Sequence, residues 1–178
     1  MTPLRIRIGP GDHADGPRDA PIQLLEYGDY ECPYCGRAYP EVEEVRRALA
    51  GRLLFVYRHF PLTQVHPHAM LAAEAAEAAG AQGRFWEMHG VLFQNQHALE
   101  PQDLGAYADA LALELDRFTE DLEEDRFEDK VRRDLLSGAR TGVNGTPTFF
   151  VNGYRHDGVF TADALIEALL GGAPGAAH

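Results

Sequence analysis

The sequence predicts an α/β fold, a central mixed sheet flanked by helices with an all-helical stretch inserted in its middle. Three observations lead there. Residues 22–27 and 53–57 are two short, nearly continuous apolar runs, and the 18 residues 33–50 between them carry helical periodicity. Strand, helix and strand in such close succession is the pattern of a parallel βαβ unit. Asn152-Gly153 between two further apolar segments is a strong hairpin signal and adds antiparallel strands. Between these two blocks, residues 67–141 read as helical throughout.

Each element has a local cause. Residues 1–21 are rich in Gly, Pro and Asp and read as an irregular lead-in, with the alternating residues 4–8 as a short edge strand. The first buried strand is apolar except for Gln23 and Glu26, as a strand covered on both faces should be. Gly28-Asp29 ends it, and Pro33 suits the first turn of the next helix, where its missing N–H costs nothing. Tyr39, Val42, Val45 and Leu49 form the dry face of that helix, Glu41, Glu43, Glu44, Arg46 and Arg47 the wet face. Pro40 predicts a kink and Gly51 a stop. Phe60-Pro61 closes the second strand.

In the helical stretch, Pro67, Pro101 and Asp116 mark starts, and Gly83, the Asn95 region and Gly138 mark stops. The apolar stripes are Phe85, Met88, Leu92 and Phe93, then Leu104, Ala108 and Leu111, then Phe127, Val131 and Leu135, all read as core. Strand character returns at residues 146–151, turns at Asn152-Gly153, and is expected back over residues 154–160. Thr161 caps a last helix reaching Leu170, and residues from Gly171 form an irregular tail. Residues 1–61 and 142–178 are thus expected to make one domain, and residues 62–141 a helical domain inserted into it.

Composition excludes several classes. With 28 acidic and 16 basic residues the net charge is −12, and the basic residues are scattered, with Arg46-Arg47 and Arg132-Arg133 the adjacent pairs. Nucleic acid is not an expected partner, because phosphate binding needs clustered Lys and Arg. No run approaches the roughly 20 apolar residues of a membrane span; the Ala-rich residues 69–81 are broken by Glu74, Glu77 and Gly80. A secretory leader would follow its basic start with about 7–15 apolar residues, whereas Arg5 and Arg7 run into Gly9-Pro10-Gly11-Asp12. The expectation from this is a cytoplasmic protein, with a trimmed mature form as the alternative.

The chain has 2 cysteines, too few for a disulfide scaffold, and they stand three apart as Cys32-Pro33-Tyr34-Cys35, which suggests redox chemistry. Their position matters more than their spacing. The first turn of a helix offers unpaired N–H groups and the positive dipole end, so a sulfur there is held as thiolate, the attacking form. Cys32 is expected to be the exposed nucleophile. Cys35, one turn on, is placed to resolve a mixed disulfide. A zinc site would need two more ligands; no second Cys pair and no helical His-x-x-x-His pair is present, and His66 and His68 read as surface or capping residues. Neither metal nor cofactor is expected. Glu26 is the odd residue of its strand. It reads either as an edge carboxylate in water, or as a buried acid with raised pKa that relays the proton of Cys35. Pro147, in Gly145-Thr146-Pro147-Thr148, is anomalous at a strand and points to a cis bond, with a trans proline at a strand start as the alternative.

Together these segments resemble the DsbA-like branch of the thioredoxin superfamily. Residues 26–35 are similar to its active-site segment, including an acid six positions before the first cysteine. Residues 143–153 are similar to its cis-proline strand and hairpin, and the helical stretch matches its inserted domain. The likeness covers residues 20–170. It implies a thioredoxin-like fold and a thiol–disulfide oxidoreductase, with Cys32 attacking, Cys35 resolving and Glu26 as the buried acid. It also implies that Pro147 faces the cysteines, that the Thr146 backbone pairs with an extended substrate segment, and that Pro33 and Tyr34 line the substrate side. Partners would be protein thiols and disulfides, or glutathione, and a redox partner protein. The Pro33-Tyr34 dipeptide departs from strongly oxidising members, which carry His at the second place. It resembles that of glutaredoxins and implies a less oxidising potential. The alternatives are therefore a glutathione-linked reductase and a non-catalytic peptide-binding or chaperone-like module.

Overall fold

The computed structural model describes residues 7–171; the expected edge strand at residues 4–8 and the tail beyond Gly171 lie largely outside them. A five-stranded sheet in the order β1-β3-β2-β4-β5 carries the molecule. Its strands are β1 (His13–Asp15), β2 (Ile22–Gly28), β3 (Leu53–His59), β4 (Thr148–Val151) and β5 (Tyr154–His156). β2 and β3 are parallel, and the other pairs are antiparallel. The sheet is mixed, as the sequence predicts.

Among the described residues seven helices surround it: α1 (Pro33–Ala48), α2 (Ala69–Gly80), α3 (Phe85–Gln94), α4 (Pro101–Ala110), α5 (Leu115–Glu123), α6 (Glu128–Arg140) and α7 (Ala162–Leu170). α2 to α6 fill the stretch between β3 and β4. α1 runs on through Pro40 and buries Cys35, Ala38, Val42 and Val45. The starts at Pro101 and Thr161 hold, the latter with the Thr161 hydroxyl accepting from Ala164 N.

Two differences from the sequence reading have simple causes. β1 falls inside the lead-in read as irregular; with three residues among Gly and Asp it has no periodicity, and pairing with β3 alone makes it a strand. The strand expected over residues 154–160 stops at His156. There Asp157-Gly158 turns the chain, and the His156 ring meets the Val159 carbonyl at 2.9 Å. The hairpin itself is as expected, Asn152 and Gly153 both having positive φ, at 49° and 86°.

Strand alternation divides the core. Leu25, Tyr27, Leu54, Val56 and Phe150 pack on one face of the sheet. Leu24, Phe55, Tyr57 and Phe149 face the other, in one continuous cluster with both cysteines, with Val42 and Val45 of α1, and with Met88, Leu92 and Phe93 of α3. The sheet and the helices between β3 and β4 therefore share a core. Gly28 ends β2 against this packing: a Cβ there would lie 2.6 Å from the Tyr57 hydroxyl oxygen. Gly28→Ala should cost about 1–3 kcal/mol of unfolding free energy, measured by urea denaturation.

Candidate active site

The site forms where β2 hands over to α1. Asp29, directly after β2, is buried and shapes the loop. Its Oδ1 accepts from Glu31 N at 2.8 Å, and its Oδ2 accepts from Leu62 N at 2.9 Å and lies 2.8 Å from His66 Nδ1. The Asp29 carbonyl accepts from Cys32 N at 3.1 Å. Cys32 then stands as the N-cap of α1 with extended backbone, φ −70° and ψ 122°, and Pro33 opens the helix. His66 and His68, read as surface or capping residues, pair with the acids of this loop. His68 is the N-cap of α2, and its ring lies 2.8 Å from both Glu31 and Glu100. Those two carboxylates raise the His68 pKa.

Both cysteines are free thiols. Cys32, expected to be exposed, is 2% exposed, against 0% for Cys35. Here the expectation fails: the turn at Thr146 folds over the sulfur, whose S–H meets the Thr146 carbonyl at 3.5 Å. What distinguishes the two sulfurs is electrostatic. A hydrogen bond from the Cys35 thiol, opposed by burial and aided by the Thr146 side chain and the N–H groups of Cys35 and Tyr34, brings Cys32 down to about 5. Burial, the bond to Cys32 and the nearby Glu26 charge push Cys35 well above the ordinary thiol range. The Cys35 thiol, with the first N–H groups of α1 helping, thus favours the thiolate of Cys32, while burial favours the protonated form of Cys35.

Glu26 is not an edge carboxylate in water. β2 lies between β3 and β4, and Glu26 sits opposite Tyr57 and Phe149, 2% exposed. Alternation along β2 places it on the same face as Leu24, toward the cysteines. Its Oε1 has no partner among the described residues. Burial, with the charges of Cys32 and Glu43 adding and Arg46 opposing, pushes its carboxyl up to about 8. The Thr146–Pro147 bond is cis, and this turn closes the site from the β4 side.

Beside Cys32, Tyr34 is 57% exposed, and the Arg37 guanidinium stacks 4.5 Å from its ring centre. A groove of about 400 Å³ lies next to it, lined by Tyr34, Arg37, Glu41, Val159, Phe160 and Thr161. The sequence reading missed Asp29, Arg37 and Gln96, whose side-chain nitrogen donates to the carbonyls of Tyr30 and Cys32 at 3.0 and 2.8 Å. An acid at a strand end was a weak signal for Asp29; nothing local marks Gln96. Among the described residues, the grouping able to hold a metal is His59, Glu77 and Asp134. It includes neither cysteine, and the Lys130 ammonium already sits 2.8 Å from Asp134 and 3.5 Å from Glu77.

A cysteine pair at the tip of the first helix, facing a cis-proline turn over a sheet of this order, defines the class of thioredoxin-fold redox proteins. A family model described as thioredoxin matches residues 9–169, and the chain belongs to that family. Among solved structures, it is similar to a thioredoxin-like oxidoreductase from Silicibacter pomeroyi DSS-3, at 26% identity over 90% of this chain and 91% of that one, with a TM-score of 0.80. Oxidised BdbD from Bacillus subtilis matches at 25% identity over 91% and 94%, also at 0.80. Wolbachia pipientis α-DsbA1, at 22% identity over 92% and 93%, shares the fold with a TM-score of 0.77. The DsbA-like resemblance and the thioredoxin-like fold expected from the sequence hold.

Curated relatives add a correction. The chain is 50% identical over 167 residues to a protein named Na+/H+ antiporter NhaA 1 from Salinispora arenicola, covering 93% of this chain and 26% of that protein. A relative of the same kind from Salinispora tropica is 48% identical over 168 residues. The chain spans about a quarter of the length of these relatives. The expectation of a cytoplasmic protein is overturned: these relatives are named as Na+/H+ antiporters, and nothing about them indicates a cytoplasmic location. No helix among the described residues is long and apolar enough to cross a membrane.

Proposed function

We propose that the chain is a thiol–disulfide oxidoreductase acting on protein or peptide substrates through Cys32 and Cys35. The observation that carries this reading is the pair of free thiols at the first turn of α1, Cys32 as its N-cap under the cis Thr146–Pro147 turn and Cys35 buried within the helix. The downward shift of Cys32 to about 5 and the upward shift of Cys35 agree with it. As a reductant, the Cys32 thiolate attacks one sulfur of a substrate disulfide, forming a mixed disulfide and releasing the other sulfur as thiolate. Cys35 then gives its proton to Glu26 and attacks the Cys32 sulfur. The second substrate sulfur leaves as a thiolate; one substrate sulfur takes the proton from Glu26 and the other takes one from water, and Cys32–Cys35 remain as the disulfide. The reverse sequence oxidises a substrate dithiol. In this reading the Thr146 backbone pairs with an extended substrate segment, Pro147, Pro33 and Tyr34 flank it, and residues 62–141 form a helical unit set into the redox domain. A separate partner protein resets the pair.

A thiolate midpoint near 5, read from the 240 nm absorbance of the reduced protein, tests the reading; a single midpoint near the ordinary 9 would sink it. The sign of the linkage is definite. A depressed thiol pKa stabilises the reduced fold above the unfolded value, and that stabilisation fades as pH falls through 5. The stability of the reduced protein relative to the oxidised should therefore rise from pH 5 to 9, measured by paired urea titrations.

A glutathione-linked activity is favoured by one observation, the exposed Tyr34 with the Arg37 cation over its ring. Comparing turnover on a small glutathione mixed disulfide with insulin reduction separates the two substrates.

A further inference from the structure

Gln96 lies in the turn after α3 and reaches across to the loop that enters α1. Both hydrogens of its amide nitrogen are used, one on the Tyr30 carbonyl at 3.0 Å and one on the Cys32 carbonyl at 2.8 Å. The Cys32 carbonyl also accepts the first bond of α1, from Gly36 N at 3.0 Å. The other half of the amide covers Gly36, where an added Cβ would lie 2.0 Å from Gln96 Oε1. The glycine after the second cysteine is thus the space this side chain occupies.

We propose that Gln96 is a positioning residue for disulfide exchange, holding the Tyr30 and Cys32 carbonyls so that Cys32 keeps the extended N-cap backbone that aims its sulfur at the N–H groups of α1. The inference rests on reading Cys32 as the attacking thiol. Its physical content is a sign. Without the amide, the Tyr30 and Cys32 carbonyls each lose a donor, and the loop is free to turn the sulfur off the helix end. Both changes disfavour the thiolate. The other groups acting on Cys32 stay in place: the Cys35 thiol, Thr146, the N–H groups of Cys35 and Tyr34, and the Glu26 carboxyl.

The test compares the reduced protein with Gln96→Ala, Gly36→Ala and the double variant, each titrated at 240 nm and unfolded in urea. Gln96→Ala should raise the Cys32 midpoint by about one unit and slow alkylation by iodoacetamide about threefold at pH 5.5, with no change at pH 8. Gly36→Ala should give a similar shift alone and add little on top of Gln96→Ala, because it acts by displacing the same side chain. Lowered stability with an unmoved midpoint would make Gln96 merely structural and overturn the proposal, as would additive shifts. Should Gln96→Ala not fold, Gln96→Met fills the space without a donor and gives the same readout. A wild-type thiol titrating near 9 would instead remove the Cys32 assignment itself.

Discussion

Serine at position 32 should bring insulin reduction down to the uncatalysed background, while Cys35→Ser should leave a protein that attacks once and stops. A serine hydroxyl cannot be held as an anion by one helix end at neutral pH, so Cys32→Ser removes the nucleophile outright. In Cys35→Ser the thiolate survives, but nothing displaces the substrate from the mixed disulfide. That adduct should accumulate in a one-to-one ratio, visible by mass spectrometry and released by dithiothreitol. Cys35 is also the largest cause of the low Cys32 value. Cys35→Ala, which has no donor, should therefore move the Cys32 midpoint upward from about 5. Activity retained in Cys32→Ser would favour the peptide-binding module instead.

Replacing Glu26 should have two large and opposite effects. As a proton relay it is worth roughly a hundredfold in turnover or more, and Glu26→Gln should lose that, along with the part of the pH–rate profile that titrates near 8. A flat loss with an unchanged profile would argue against the relay. Stability should move the other way. An acid at about 8 in the fold and 4.5 in its ordinary state costs nothing below 4.5 and progressively more up to 8. Glu26→Leu should thus gain on the order of a few kcal/mol at pH 8 and almost nothing at pH 4, read by urea denaturation. In the wild type this term opposes the Cys32 term, which stabilises the reduced fold as pH rises. The reduced protein should therefore show a flatter pH profile than either group alone would produce. If Glu26→Gln slows turnover, the stability lost to this buried acid is what the site gives up for proton transfer.

Much of the site was legible in the chain. Cys32-Pro33-Tyr34-Cys35 is a local pattern at a strand-to-helix junction, and junctions of this kind follow from periodicity and the placement of Gly and Pro. Glu26 stood out because one acid interrupts an apolar strand. Its burial could not be read there, since the same residue on an edge strand would face water; only the pairing of β2 with both β3 and β4 decides the matter. The exposure of Cys32 was misread for a similar reason. A helix end looks open until a turn 114 residues away closes over it.

The chain by itself determined the strand, helix and hairpin order and set the two sulfurs one turn apart, because these depend on side chains within a few positions of each other. Only the tertiary structure decided how acidic each sulfur is, how deeply Glu26 lies, and that Gln96, 64 positions from Cys32, grips its carbonyl. Desolvation and hydrogen bonds between distant segments set those properties, and neither leaves a period in the sequence.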